Sequence, residues 1–430
     1  MAKNKQKVCV IGLGYVGLPL AIRAAERGFD VYGLDTDRKK IKMINSGKSP
    51  FVDDYVSERI AKLGIKATAD KKIIKKADII LICVPTPVDE KFYPILDPVI
   101  NASRAVAQNL KKGALVILES TVNPGVSEEV VKPIFEKEGL KVGRDVFIAH
   151  CPERINPGKD LVSKGYDVTN IPRVVGSFDR IGLAKAKKFY EKIIDGQIMP
   201  MGTIREAEAV KIMENSFRDI NIAFVNELAK SFDKMDIDIT NVIRGASTKP
   251  YGFMPFWPSR GVGGHCIPVD PYYLIEKAKE NNFDHKFLRT ARGINNSMPL
   301  YTVDLLQVKM NEIKKAIKGS NIGILGLSYK ANVGDLRESP ALKIIEILKE
   351  RGALLHIFDP YISEMSTVKN VQELLKKSEA IILVTNHSEF EQISPKEFKR
   401  AGIKIIIDGV NALDKGAIKK CGIIYKGIGR

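Results

Sequence analysis

The chain opens with KVCVI (7–11), a β-branched run, and falls at once into GLGYVG, with glycines at Gly12, Gly14 and Gly17. LPLAIRAAERG follows with helix-like spacing, and DVYGL then ends a second apolar run at Asp35. A strand, a glycine turn, a helix and a strand are expected in that order. Two further apolar runs, ADIILICV and ALVILES, each lead into a turn that holds a threonine, Thr86 in PTP and Thr121 in TVNPG. The pattern recurs near the C-terminus, where NIGILGLSYK begins a strand and glycine turn and ALKIIEILKERGALLHIFD closes a helix and strand. Glu26-Arg27-Gly28 with Asp35 reappears there as Glu350-Arg351-Gly352 with Asp359, at the same separation. Between the two units, Ile204 to Asp236 has helical periodicity. Val210, Met213, Phe217, Ile220 and Phe224 recur at three- and four-residue steps as an apolar face, and Glu208, Lys211, Asn215 and Arg218 form a stripe on nearly the opposite side. That stripe is expected to be the wet face of the helix unless it meets Cys266.

Each of these elements carries candidate chemistry. In the first turn Gly12 suits the tight bend, Gly14 the approach of a pyrophosphate to the backbone, and Gly17 close helix–strand packing. Asp35 stands where a carboxylate accepts hydrogen bonds from a ribose 2′-OH, which favours NAD over NADP, although Arg38, Lys39 and Lys40 nearby suit a 2′-phosphate. Ligands of open parallel sheets sit beyond the carboxyl ends of the strands, so Gly12, Asp35, Thr86 and Thr121 are expected on one rim. Each threonine taken alone is as readily a helix cap. The second unit has a longer loop, YKANVGDLRESP (Tyr329 to Pro340), whose Lys330 and Arg337 suit a phosphorylated ligand or are simply surface charges. In GVGGHCIPVDPYYL (261–274), Cys266 is a nucleophile, a metal ligand or a small buried side chain. Its glycines bring chain segments close, and only His265 is adjacent as a metal ligand, so the nucleophile is the better reading and no metal is expected.

Composition narrows the class. At 430 residues, with 44% hydrophobic and 28% charged residues, the chain is globular and has room for two or three domains. The net charge of +17 is spread in lysines along the whole chain without interleaved aromatics, so neither nucleic acid nor a membrane is the expected partner. The basic start MAKNKQK precedes an apolar segment broken by three glycines, which reads as strand and loop rather than a signal peptide. Five scattered cysteines without CxxC spacing indicate neither a disulfide framework nor zinc, and a reducing, cytoplasmic compartment follows.

The succession GLGYVGLPLA, VPTP, ESTVNPG, CPERINPG, Lys211 and Asn215 with NIAFVNEL, GVGGHCIPVDPYYL, LGLSYKANVGDLRESPA and YKGIGR resembles the UDP-glucose/GDP-mannose dehydrogenase family over nearly the whole chain. The resemblance implies an α/β fold with two Rossmann-like doubly wound domains, joined by a long central helix and a helical dimerisation region. The divisions expected are residues 1–200 for NAD, 201–310 for the helical part with the catalytic lysine and cysteine, and 311–430 for the nucleotide sugar. It further implies a homodimer or higher homo-oligomer and NAD-dependent oxidation of a UDP-sugar's C6 alcohol to the acid through a thiohemiacetal and thioester on Cys266. Catalytic roles fall to Cys266, Lys211, Asn215, Asp270, Thr121 and Glu153. NAD contacts fall to Gly12, Leu13, Gly14, Tyr15, Val16, Gly17, Asp35, Lys40, Thr86, Thr121 and Arg337. Substrate contacts fall to Glu153, Arg154, Lys211, Asn215, Arg218, Tyr251, Gly263, Tyr329 and Lys330.

Two motifs depart from the UDP-glucose branch. His265 and Val269 stand where that branch has serine and lysine, and PERINPG (152–158) stands where it has PEFL with a second glutamate, so no second catalytic glutamate is carried over. This wording is more similar to the UDP-N-acetylhexosamine 6-dehydrogenases. UDP-N-acetyl-D-mannosamine is the expected substrate, with UDP-glucose and UDP-N-acetylglucosamine as alternatives. PSRG (258–261) replaces the PGPG frequent in relatives, and the role of Arg260 stays open. A simple β-hydroxyacid dehydrogenase would share the Rossmann start and the helical lysine and asparagine, but it would need neither Cys266 nor the repeated unit. A nucleotide-binding regulator would need no thiol, lysine or asparagine.

Overall fold

The computed structural model describes residues 5–51, 53–89, 93–154 and 165–430; positions 155–158 of PERINPG lie outside them. The chain forms two compact units. The first comprises Met1–Glu214 and Tyr272–Asn282, the second Asn215–Pro271 and Phe283–Arg430.

In the first unit the strands β1 (Lys7–Ile11), β2 (Asp30–Leu34), β3 (Lys66–Thr68), β4 (Ile79–Ile82), β5 (Ala114–Leu118), β6 (Val146–His150), β7 (Arg173–Ser177) and β8 (Ile198–Pro200) make one sheet, in the order β3-β2-β1-β4-β5-β6-β7-β8. Neighbouring strands are parallel except β6 and β7. Successive side chains alternate faces, so Val8, Val10 and Leu81 enter one apolar layer and Cys9, Ile11 and Ile82 the other. Both faces are covered, which is why these strands read as nearly unbroken apolar runs. The chain passes from β1 outward to β2 and β3 and returns to β4, so the strand order reverses between β1 and β4.

The second unit holds β9 (Asn321–Leu325), β10 (Leu354–Phe358), β11 (Ala380–Leu383), β12 (Ile405–Asp408) and β13 (Ile424–Gly427), all parallel, in the order β10-β9-β11-β12-β13. Its reversal falls between β9 and β11. The sequence repeat is a structural one. Gly12 and Gly326 share φ +89°, and their N–H groups donate to Leu34 O at 2.8 Å and Phe358 O at 2.9 Å. The next residue in each unit, Leu13 or Leu327, donates its N–H to the aspartate that follows the second strand, Asp35 or Asp359, at 2.8 and 2.7 Å. Among the described residues no helix is long and apolar enough to cross a membrane, and no cluster of His, Cys, Asp or Glu could hold a metal ion.

The long helix runs from Ile204 to Asp233, and its orientation corrects the expectation from periodicity. Met213 is 73% exposed, Phe217 47% and Phe224 55%, whereas Glu208 and Asn215 from the supposed wet stripe are buried. Val210 and Ile220 are half-buried, as is Lys211, and only Arg218 of that stripe stays exposed. The reason is that the inward polar groups find partners there. Asp219 pairs with Arg292 at 2.6 Å, and Asn226 donates to Asn295 Oδ1 at 2.9 Å. Buried apolar residues of the same helix, Ala207, Ile212, Ala223 and Ala229, supply the packing.

Candidate active site

In the first unit the elements at the carboxyl ends of β1 and β2 build a dinucleotide cradle. A side chain at Gly12 would strike Cys83 O at 2.5 Å, and one at Gly17 would strike Gly12 O at 1.9 Å, so both glycines are required by the fold itself. Gly14 differs: nothing in the protein lies within 4 Å of the Cβ position there. Its bareness leaves room for an outside group against the backbone. The helix Gly17–Glu26 that follows has Val16 at its N-cap and no side-chain cap, so no side chain answers its first N–H groups. Leu13 is buried in the core, while Tyr15 is exposed and stacks on Phe51 with centroids 4.3 Å apart. Burial would raise the Asp35 carboxyl, but the N–H groups of Asp37 and Leu13 and the Lys40 ammonium at 3.0 Å hold it below its usual range. It is therefore an ionised acceptor suited to a ribose hydroxyl, with Lys40 paired to it. The donor set fits NAD, which supplies a hydride acceptor when bound.

Thr86 and Thr121 lie past β4 and β5, on the same rim as Gly12 and Asp35. Thr86 is buried and its carbonyl accepts the Tyr273 hydroxyl; Thr121 is half-buried. The loop from Thr121 to Gly125 is held by Glu208, whose carboxylate accepts from Gly125 N at 2.6 Å and Ser127 N at 2.8 Å. Glu208 thus positions this loop one helical turn before Lys211, a function its place in the polar stripe concealed. Glu153 follows β6 and is buried, with Oε2 2.8 Å from Arg173 Nη1 and Oε1 accepting from Arg154 N at 2.5 Å. Arg173, wholly buried, also lies 3.6 Å from Glu119. Arg154 donates to Pro172 O at 3.0 Å and pairs with Glu214.

The second unit brings Cys266 together with several of its expected companions. Cys9, Cys83 and Cys151 are buried, which pushes the Cys9 thiol up to about 12 and the other two well up. Cys266 is exposed. Its carbonyl accepts from Asp270 N at 2.8 Å, and the buried Asp270 carboxylate accepts from Asn215 Nδ2 at 2.5 Å, so the thiol's turn is fastened to the long helix. Arg218 and Arg337 both interact electrostatically with Cys266. Burial lowers the His265 pKa, with Arg337 adding to the effect, so this imidazole is neutral at pH 7.

The glycines before Cys266 let the Tyr329–Pro340 loop pack directly on it. A side chain at Gly263 would meet Tyr329 Cβ at 2.6 Å, and Gly264 N donates to Arg337 O at 2.9 Å. Arg337 is forked onto Asp335 through Nε at 3.0 Å and Nη2 at 2.7 Å. Lys330 is half-buried beside Tyr329. Tyr251 is 72% exposed, with the Lys249 ammonium 5.0 Å from its ring centre. In this unit Asp359, the counterpart of Asp35, is buried and takes His387 Nε2 at 3.0 Å, which leaves it turned inward.

Three models of the UDP-glucose/GDP-mannose dehydrogenase family match the chain: its NAD binding domain over residues 6–194, its central domain over 205–297 and its UDP binding domain over 323–415. A UDP-N-acetyl-D-mannosamine dehydrogenase of Pyrococcus horikoshii is 36% identical over 99% of both chains. A UDP-N-acetyl-D-glucosamine 6-dehydrogenase of Pseudomonas aeruginosa is 36% identical over 92% of this chain and 94% of its own. A solved structure of UDP-D-ManNAc dehydrogenase from Pyrococcus horikoshii superposes with a TM-score of 0.92 at 34% identity, over 99% of each chain.

Proposed function

The chain belongs to the UDP-glucose/GDP-mannose dehydrogenase family, NAD-dependent UDP-sugar dehydrogenases, and on that footing we propose that it oxidises the C6 alcohol of UDP-N-acetyl-D-mannosamine to the uronic acid. NAD, which Gly12, Gly14 and Asp35 would hold, would supply the hydride acceptor for two oxidations. In the first, the alcohol loses a proton and a hydride and becomes an aldehyde. The Cys266 thiolate adds to that carbon and forms a thiohemiacetal. Loss of the second hydride leaves a thioester, which water cleaves to the carboxylate, returning the thiol. Lys211 and Asn215, one helical turn apart, stabilise the oxyanion that develops at C6. Asp270 orients Asn215. The observation that carries this reading is Cys266 itself: an exposed thiol with two guanidinium groups in reach, on a turn fastened by Asp270 and Asn215.

The acetamido sugar is favoured by His265 and Val269 and by the names of the similar proteins. A pocket that pairs the amide of that sugar is left with unpaired polar groups when UDP-glucose binds. The penalty is about 1–3 kcal/mol, or roughly tenfold to a hundredfold in specificity. Comparing kcat/KM for UDP-ManNAc, UDP-GlcNAc and UDP-glucose, with NADH and uronate counted together, tests both parts. A highest value for UDP-glucose overturns the substrate; one NADH per uronate overturns the chemistry. The exposed Met213, Phe217 and Phe224 support assembly of this helix against a second copy.

A further inference from the structure

Four arginines are buried among the described residues: Arg23, Arg173, Arg260 and Arg292. Three have carboxylate partners, Arg23 in Asp195, Arg173 in Glu153 and Arg292 in Asp219. Arg260 has none. Its backbone N–H donates to Gly409 O at 2.7 Å, its Nη2 donates to Tyr329 O at 2.9 Å, and its Nε is buried without a partner. Burial pulls the guanidinium down to about 10, and no acidic group opposes this, so the side chain stays charged at pH 7. A cation held out of water without a counter-ion is costly, and such a site is stabilised by an anion that arrives from outside.

The path of this side chain shows where the anion would sit. Gly409 follows β12, and a Cβ there would lie 2.8 Å from Leu383 O, at the end of β11, and 3.2 Å from Arg260 Cβ. Tyr329, which takes the other end of the side chain, follows β9. Arg260 therefore starts over the carboxyl ends of β11 and β12 and finishes on the loop after β9. It crosses the point where the strand order reverses, which is the ligand crevice of an open parallel sheet.

We propose that Arg260 receives the diphosphate of the nucleotide sugar and makes the second unit select nucleoside diphosphates over uncharged nucleosides. This rests on the reading that the chain takes a UDP-sugar. The guanidinium fork matches phosphate oxygens, and phosphate supplies the negative charge that no carboxylate provides here.

Calorimetric titration of the full-length protein with UDP and with uridine tests the assignment, for wild type, Arg260→Gln and Arg260→Lys, each checked for folding by its Tm. Arg260→Gln should weaken UDP on the order of 10- to 100-fold while leaving uridine unchanged. Arg260→Lys keeps the charge but loses the fork, so it should fall between the two. Equal weakening of UDP and uridine would assign Arg260 to loop packing alone and overturn the proposal, as would unchanged UDP binding. If the glutamine variant does not fold, the same comparison in Arg260→Lys decides: a loss confined to UDP supports the assignment, and equal or absent loss overturns it. A wild-type protein that does not bind UDP would fail the substrate reading itself, a result distinct from any difference between variants.

Discussion

Replacing Glu119 by glutamine should flatten the dependence of the first unit's stability on pH. Glu119 is wholly buried just past β5; the Tyr190 hydroxyl donates to its Oε1, and Arg173 Nη1 lies 3.6 Å from its Oε2. The same arginine sits closer to Glu153, at 2.8 Å. Burial outweighs the shared arginine and pushes the Glu119 carboxyl from 4.5 up to about 8. The folded state therefore keeps a proton that the unfolded chain has already released. In that window the native state binds more protons, so stability falls as pH rises, by about 1.4 kcal/mol per pH unit from this group. Between pH 6 and pH 8 the loss comes to about 2 kcal/mol, or roughly 4–8 °C in Tm for a unit of this size. Above pH 8 the folded group ionises as well and the loss levels off. Glutamine retains an acceptor for Tyr190 and cannot ionise, so the variant should lose none of this. Thermal unfolding of both proteins at half-unit steps across this range reads the effect as a difference. A gap that widens in the variant's favour with pH is expected. Parallel profiles, with the variant less stable throughout, would mean that Glu119 is an ionised partner of Arg173 and that the burial argument is wrong.

Cys266→Ser should still carry out the first oxidation but lose uronate formation on the order of a thousandfold or more, the scale of removing a nucleophile; near-normal uronate in a discontinuous assay would return Cys266 to a structural role. Asp35→Ala should raise the KM for NAD on the order of 10- to 100-fold by removing a charged acceptor, with the KM for nucleotide sugar unchanged, and steady-state kinetics showing equal damage to both would refute the ribose assignment. The wild-type protein should sediment as a dimer or larger assembly, and Phe217→Glu with Phe224→Glu should dissociate it without lowering its helix content; a wild-type monomer at micromolar concentration would refute the interface.

The dinucleotide end of this protein is legible in its sequence because its determinants are local. Gly12, Gly14 and Gly17 act within one turn, and Asp35 needs only the strand before it to reach the Leu13 N–H. The repeat is legible for the same reason, since Gly326 and Asp359 reproduce those two roles, with Glu350-Arg351-Gly352 as far before Asp359 as Glu26-Arg27-Gly28 is before Asp35. Cys266 stands out by its glycines, which do bring Tyr329 and Arg337 against it. The orientation of the long helix is not legible. A period of three and four residues reports an apolar stripe but not which side is covered, and here buried polar groups won the inside through partners far along the chain: Glu208 with Gly125, and Asp219 with Arg292. Distance hides the rest in the same way. Tyr273 joins the first unit through Asn123, and Arg260 acquires meaning only where the loops after β9 and β12 meet it. Hydrophobic pattern and turn chemistry act over a few residues and so determine the strands, the glycine turns and the repeat. The partners of buried charges depend on which distant segments share a low-dielectric interior, and only the tertiary structure decides that.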